Sequence, residues 1–323
     1  MSLELTLIKN EVTFEVAKAI FYKSFLELIY EAHGVHRQNH DPGVIQMSSL
    51  LSIQWGGCCE DCAYCAQSIR NGRKMPKQTI TDMGIILAAA KSAKAMGSSR
   101  FCMGTSGREP ADELFTMACD AVIEVKKLGL ETCLTMGMLR EDQIIKLKEC
   151  GLDYYNHNVD TSPEYYEKIV TTRTFEERIQ TIELVRKHGI KVCTGGILGM
   201  GETNDDRIKM MVLLANLEAH PESVSINRLV RISGTPLENA ADMDPFDFVR
   251  TIALARILMP KSIIRVSAGR EAMSDELQAL CFFAGASAFF IGKKLLTTEN
   301  TEVEKDLALL SRLNLRPIGW DVN

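Results

Sequence analysis

Between residues 11 and 33, Phe14, Ala17, Ile20, Phe21, Phe25, Leu28 and Ile29 recur at steps of three and four. That spacing gathers apolar side chains on one face of an α-helix. Beyond it, short apolar runs of β-type composition alternate with longer amphipathic stretches. The runs 46–53, 100–103, 132–136, 154–158, 191–194, 223–227, 263–266 and 288–291 predict strands. The stretches 82–94, 114–127, 140–149, 174–188, 205–217, 247–258 and 274–283 predict the helices between them. Strands alternating with helices predict parallel βα units and an α/β fold. Eight such units over roughly 250 residues match a (β/α)8 TIM-type barrel, whereas an open doubly wound sheet has fewer strands and a glycine fingerprint after the first. The expected organisation is an N-terminal helical extension over 1–45, the barrel over 46–295 and a C-terminal segment packing on it over 296–323. No Pro/Gly/Ser-rich linker or low-complexity run interrupts the chain.

Composition narrows the class. The 323 residues are 46% hydrophobic and 24% charged with a net charge of −5, ordinary for a globular protein. With no long basic run, nucleic acid is an unexpected partner. The longest apolar stretches, such as 85–90, are too short to span a bilayer. The opening Met1-Ser2-Leu3-Glu4 carries no basic segment followed by an apolar run, so no secretory signal is read and a cytoplasmic location is expected.

Ten cysteines, at 58, 59, 62, 65, 102, 119, 133, 150, 193 and 281, then argue against a disulfide scaffold, because a reducing compartment keeps thiols free. Clustered cysteines there read as metal or redox ligands. Cys58, Cys62 and Cys65 fall in one loop as C-x3-C-x2-C. An iron–sulfur cube has four iron corners, normally held by four cysteines. Three thiolates leave one iron open for a small molecule. A redox C-x2-C from Cys62 and Cys65 would leave Cys58 idle, and a zinc half-site would lack its second pair. Cys59, Cys62 and Cys65 form a competing C-x2-C-x2-C set, with Cys59 read as the bystander.

Cys102, Cys133 and Cys193 lie in three different predicted strands. They are either small buried hydrophobes or, at equivalent positions in a barrel, ligands of a second cluster; pattern leaves both open. Cys119, Cys150 and Cys281 fall in or beside helices and read as packing residues. Gly195-Gly196-Ile197-Leu198-Gly199-Met200-Gly201 is not the G-x-G-x-x-G fingerprint. It reads as a tight turn or as a bare backbone edge open to a ligand. In Tyr154–Asp160, alternation points Asn156, Asn158 and Asp160 the same way, as a polar stripe for hydrogen bonding or a capped turn. Arg265 and Arg270 flank Ser267-Ala268-Gly269. A buried arginine there needs an anionic or metal partner, and a surface one needs nothing.

The cysteine loop resembles that of radical S-adenosylmethionine (SAM) enzymes. Within them the chain is similar to the biotin synthases from about residue 28 to about residue 315. The matching stretches are Val35-His36-Arg37, Arg100-Phe101-Cys102-Met103-Gly104, 154–160, Thr171-Thr172-Arg173-Thr174, 189–203, Gly234-Thr235-Pro236, 265–271 and Lys294-Leu295-Leu296-Thr297-Thr298. The resemblance implies a radical SAM barrel, usually a homodimer, that converts dethiobiotin to biotin as the last step of biotin biosynthesis. It implies that Cys58, Cys62 and Cys65 hold a [4Fe-4S] cluster that cleaves SAM. Cys102, Cys133, Cys193 and Arg265 would hold a [2Fe-2S] cluster that donates sulfur. Tyr64, Asn158, Asp160, Arg178, Gly195 and Gly196 would lie near SAM, and Asn158 and Asn227 near dethiobiotin. A flavodoxin or ferredoxin is the implied electron donor. No side chain is implied as general acid or base.

The sequence departs from this pattern where Cys59 replaces a usual proline, where Thr105-Ser106-Gly107 replaces a small-small-Trp run, and where Ser225 and Arg228 surround Asn227. These substitutions bear on the shape of the substrate pocket.

Overall fold

The computed structural model describes residues 11–292, 294–295 and 298–319. The opening tetrapeptide, and Leu296 and Thr297 of the C-terminal match, lie outside the described residues. Eight parallel strands form the centre: β1 (Val44–Trp55), β2 (Arg100–Thr105), β3 (Glu131–Thr135), β4 (Tyr154–Asn156), β5 (Lys191–Leu198), β6 (Ser223–Arg228), β7 (Ile263–Val266) and β8 (Ala288–Phe290). Each pairs with the next, and β1 also pairs with β8 through Gln46–Ala288, Met47–Phe289 and Ser48–Phe290. The sheet is therefore closed, and the (β/α)8 barrel expected from the alternating pattern is present.

Helices cover the outside. The segment 11–33, predicted as one helix, is two: α1 (Phe14–Phe21) and α2 (Phe25–Asn39). The chain turns out of helix at Tyr22, and the extended Ser24 starts the second helix. Gly34 does not stop α2; it sits on an exposed face with nothing near its Cα. Next come α3 (Met83–Ala95), α4 (Asp112–Lys127), α5 (Glu141–Glu149), a short α6 (Pro163–Tyr166), α7 (Phe175–Lys187), α8 (Asn204–Ala215), α9 (Pro245–Leu258), α10 (Asp275–Phe283) and α11 (Val303–Arg312). Local chemistry fixes several starts. Thr174 and Thr203 each accept the amide three residues on, while Glu177 and Asp206 return the bond, reciprocal caps that satisfy two orphan donors apiece. The buried faces of α3 to α10, with Val122, Ile182, Met211 and Ile252 among them, pack on the outer faces of the strands.

Several strand ends differ from expectation, and two of them matter for the site. β4 stops at Asn156, so Asn158 and Asp160 stand on the loop beyond it. β5 runs through the glycines to Leu198, so Gly195-Gly196 is strand and not a turn. The C-terminal segment returns to the barrel: Arg316 and Pro317 pair with Val44 and Ile45 of β1. A buried ion pair of 2.7 Å between Arg270 and Asp306 fixes α11.

Candidate functional site

The loops beyond the C-terminal ends of the strands enclose a cavity of about 330 Å³ that continues down into the barrel. In this architecture that end carries the chemistry, because eight independent loops converge there. Cys58, Cys62 and Cys65 line its upper part and Cys102, Cys133 and Cys193 its floor.

The upper loop leaves β1 and is held by its own backbone. The Cys58 amide donates to the Gln67 carbonyl at 2.9 Å, the Ile69 amide to the Cys58 carbonyl at 2.9 Å, and the Cys65 amide to the Cys62 carbonyl at 3.0 Å. The buried Asn71 donates its side-chain NH2 to the carbonyls of Cys62 (3.1 Å) and Cys65 (2.8 Å). Asp61 clamps the loop to the segment after α6 by accepting from the Thr171 amide (2.9 Å), the Thr172 amide (3.2 Å) and both threonine hydroxyls. Partial burial opposes its ionisation, but these donors outweigh that and bring the Asp61 carboxyl down to about 2. The three thiols behave oppositely. Burial raises Cys58, pushes Cys62 up to about 12 and Cys65 up to about 11. They are thiols at neutral pH until a cation displaces their protons.

Cys59 is exposed and turned away: it does not line the cavity, and its carbonyl accepts from Arg70 Nε at 2.7 Å. Of the two competing triplets, only the one containing Cys58 lies wholly on the cavity.

A buried polar network joins this loop to the barrel wall. Tyr64 donates its hydroxyl to Asp160 Oδ2 at 2.9 Å, and Arg178 Nη2 lies 2.5 Å from the same oxygen. Arg178 also donates to the Tyr166 hydroxyl (2.6 Å) and the Asn158 carbonyl (2.8 Å). Burial, with Asp160 beside it, holds the Tyr64 phenol well above its ordinary range. Asp160 has φ +67, a left-handed conformation that few residues other than glycine, Asn and Asp adopt cheaply. That twist lies on the loop beyond β4, where the Asp160 carboxylate meets Tyr64. Asn156, Asn158 and Asp160 all line the cavity as alternation suggested, but it is the loop, not a continued strand, that brings the last two there.

The floor follows from strand register. Cys102 of β2 lies directly opposite Cys133 of β3, and Cys193 of β5 is the register partner of Asn156. Cys102, Cys133 and Cys193 pack with Tyr154 in one buried cluster, and Cys193 Sγ lies 3.5 Å from Ser225 Oγ. Hydrogen bonding with Cys133, with Arg265 and Arg100 nearby and against the effect of burial, pulls Cys102 and Cys193 below the usual thiol range, while Cys133 itself is raised well above it. Arg265 is 1% exposed, and its hydrogen bond goes to the neutral Gln46 Oε1 at 2.9 Å. Its Nε is unpartnered, as are Arg100 Nη1 and the hydroxyls of Ser48, Thr194 and Ser223. A buried guanidinium without a carboxylate needs an anion. Arg270, the other arginine singled out, is also buried but spends its charge on Asp306 and its Nη1 on Gln278 (2.6 Å).

The remaining residues divide. Asn227 lines the cavity, but both ends of its amide are taken: Nδ2 donates to the Gly196 carbonyl (3.0 Å) and Oδ1 accepts from the Ala268 amide (3.1 Å). Asn158 keeps an unpartnered Oδ1. Gly195 and Gly196 do not line the cavity. A Cβ on Gly195 would stand 1.9 Å from the Ser225 carbonyl oxygen, and one on Gly196 would stand 2.5 Å from that of Asp160 and 2.3 Å from Met210 Sδ. Their bareness admits the protein's own backbone, which lets the Asp160 loop pair with β5.

Glu60 and Arg173 also line the cavity, and reading the sequence gave neither a role; Ser225, expected to bear on the pocket's shape, lines it too. Glu60 is buried against Arg108 (3.1 Å) and the Thr172 hydroxyl. Its place next to Asp61 in the cysteine loop, and that of Arg173 in the matched Thr171–Thr174 stretch, were the available signals.

Known proteins agree with this geometry. The Radical SAM superfamily model matches residues 53–215, and the Biotin and Thiamin Synthesis associated domain matches residues 225–316. Biotin synthase of Rickettsia felis is 57% identical over 303 residues, 94% of this chain and 98% of that protein. That of Lawsonia intracellularis is 54% identical over 96% of this chain and 98% of its own length. Among solved structures, methylornithine synthase superposes with a TM-score of 0.80 at 19% identity, covering 96% of this chain and 95% of that one. The FeFe-hydrogenase maturase HydG from Carboxydothermus hydrogenoformans gives 0.80 at 17% identity over 95% and 76%. These two show the shared barrel. With relatives above half identity along nearly the whole chain, and both family models placed on one cavity-bearing barrel, the chain belongs to the biotin synthase family of radical SAM enzymes.

Proposed function

We propose that the two cysteine triads divide the labour of biotin synthesis within the one cavity. As a biotin synthase, the chain acts on dethiobiotin and SAM, and its family carries a [4Fe-4S] cluster. The finer assignment is ours: Cys58, Cys62 and Cys65 would hold that cluster, and Cys102, Cys133, Cys193 and Arg265 a [2Fe-2S] cluster. When bound, the first supplies the electron that splits SAM into methionine and a 5′-deoxyadenosyl radical, and the second supplies sulfur.

The observation that carries this reading is the floor of the cavity. Three thiols in contact and a buried arginine with an orphaned Nε form a donor set that suits a compact anionic group. Among the described residues no three His, Cys, Asp or Glu side chains are placed to hold a single metal ion. The triads are read as cluster ligands on the chemistry of their thiols and of the buried Arg265 beside the floor set. Asn158, with its free Oδ1, is the residue best placed to receive a donor from SAM or dethiobiotin. Tyr64, Asp160 and Arg178 hold the loop at a fixed distance from the wall, and Gly195, Gly196 and Asn227 fix the wall itself. The cavity excludes water from a reactive carbon radical, and proximity supplies most of the rate. A homodimer, a flavodoxin- or ferredoxin-type donor and a cytoplasmic location complete the reading; ten free thiols suit a reducing compartment.

The test is anaerobic turnover of the reconstituted protein with SAM, a reductant and dethiobiotin, which should give biotin with methionine and 5′-deoxyadenosine. Methionine and 5′-deoxyadenosine without biotin would overturn it. Cys133→Ala should abolish the [2Fe-2S] absorption while SAM cleavage survives; an unchanged spectrum would refute the floor assignment.

A further inference from the structure

Outside the cavity, the segment 69–77 holds Arg70, Arg73, Lys74 and Lys77, and residues 62–81 contain no Asp or Glu at all. The chain as a whole has a net charge of −5, so this is a local reversal of sign. All four cations are exposed, and beside them the Ile69 side chain is 56% exposed. A basic surface with one apolar side chain at its edge can recognise an acidic protein face.

Position gives the surface a purpose. The segment is bonded at both ends to the loop of Cys58, Cys62 and Cys65. The Ile69 amide donates to the Cys58 carbonyl at 2.9 Å, the Gly57 amide to the Met75 carbonyl at 3.1 Å, and Asn71 bridges to the carbonyls of Cys62 and Cys65. Arg70 Nε reaches the Cys59 carbonyl at 2.7 Å. The Arg73 amide donates to the Gly234 carbonyl at 3.3 Å, fixing the far side. A protein resting on 69–77 is thus one hydrogen bond of backbone from Cys58. SAM cleavage needs an electron from outside: the carrier is oxidised by one electron, and SAM accepts it as its C5′–S bond breaks to methionine and the 5′-deoxyadenosyl radical.

We propose that residues 69–77 form the docking surface for an acidic one-electron carrier protein, an inference that rests on the radical SAM reading of the cysteine loop. The association is electrostatically steered and weakens with salt.

The test compares two reductants on the reconstituted enzyme: an acidic flavodoxin with its reductase, and a small reductant, dithionite or photoreduced deazaflavin. Arg73→Glu with Lys74→Glu, and separately Lys77→Glu, should raise the KM for flavodoxin about tenfold at low salt. 5′-Deoxyadenosine formation with the small reductant should be unchanged. Equal kinetics for parent and variants with flavodoxin would overturn the proposal, as would equal losses with both reductants. Should the variants lose iron, carbodiimide cross-linking of the parent to flavodoxin decides: bonds at Lys74 or Lys77 support the surface, and bonds only elsewhere refute it. Charge reversal that abolishes binding to phosphatidylglycerol vesicles but leaves flavodoxin kinetics intact also refutes it. Failure of the small reductant to form 5′-deoxyadenosine on the parent would instead overturn the radical SAM reading.

Discussion

Replacing Arg178 with methionine tests how the cysteine loop is held. The Asp160 and Arg178 side chains are 3% and 5% exposed, and their atoms lie 2.5 Å apart. Arg178→Met leaves a buried carboxylate with only the Tyr64 hydroxyl as donor. Removing one partner of such a pair costs about 3–5 kcal/mol, a large part of the roughly 5–15 kcal/mol that holds a domain together. With an m-value of about 3 kcal/mol/M, the urea midpoint of the apo-protein should fall by about 1–1.7 M. Asp160→Asn keeps a residue that tolerates φ +67 but leaves the guanidinium with only the Asn158 carbonyl and the Tyr166 hydroxyl. The double variant removes both charges, so its loss should fall short of the summed single losses by about 2 kcal/mol. Each single variant should also bind less iron after reconstitution, since Tyr64 loses a fixed acceptor. Single losses that add to within about 0.5 kcal/mol would show that the pair is not coupled, and the network argument would fail.

Cys58→Ala should lose the [4Fe-4S] signal by EPR and iron analysis, whereas Cys59→Ala should keep both, because only Cys58 of the two lines the cavity. Gly195→Ala should cost about 3 kcal/mol or more, seen as lost soluble yield, because its Cβ meets the Ser225 carbonyl at 1.9 Å. Gly34→Ala, on an open helix face, should stabilise by about 0.5–1 kcal/mol. His36 is buried, and burial, with Arg256, His40 and His33 nearby and only Asp41 opposing, lowers it to about 3 from 6.5. Its neutral form is favoured in the fold, so stability is full above pH 6.5 and falls as the unfolded chain takes up the proton. At pH 5 the loss is about 2 kcal/mol, measured by urea unfolding of apo-protein at pH 7.5 and 5.0. His36→Gln should reduce the difference by about that amount, His40, His157 and His220, which burial also lowers, supplying the rest; an unchanged pH dependence would remove His36 as a source.

The barrel was legible because its strands are short, apolar and separated by amphipathic stretches of helical period; burial on both faces leaves little else for them to be. What the pattern missed has local causes. The break between α1 and α2 rests on an extended Ser24, with apolar spacing running through it. The ends of β4 and β5 were misplaced for a shared reason. Asp160 adopts a positive φ and bridges to Gly196, so the two segments exchange backbone bonds beyond where apolar alternation stops. The helix α11 carries an amphipathic pattern that the sequence reading passed over, and its anchor is a tertiary ion pair, Asp306 with Arg270, that sequence spacing cannot announce.

The site was legible in a different way. C-x3-C-x2-C declares itself because three thiols on one loop share one short backbone. The floor triad does not, because Cys102, Cys133 and Cys193 become neighbours only when register places β2, β3 and β5 around one interior. Sequence could offer them as ligands or as small hydrophobes, and register alone would not separate the two. Electrostatics favours the proposed ligand role. The loop thiols sit where burial raises their pKa, with the nearest cation, Arg178, already paired to Asp160. On the floor, Cys102 and Cys193 are drawn down by Arg265, whose Nε no protein group satisfies, while Cys133 is raised. A hydrophobic core would not retain an uncompensated guanidinium beside three thiols, since its burial costs several kcal/mol unless an anion joins it. The orphaned arginine is therefore the stronger argument for a bound anionic group in the floor, and Arg265→Leu, which removes that need, should weaken binding of the [2Fe-2S] group while leaving the apo-barrel as stable as before or more so.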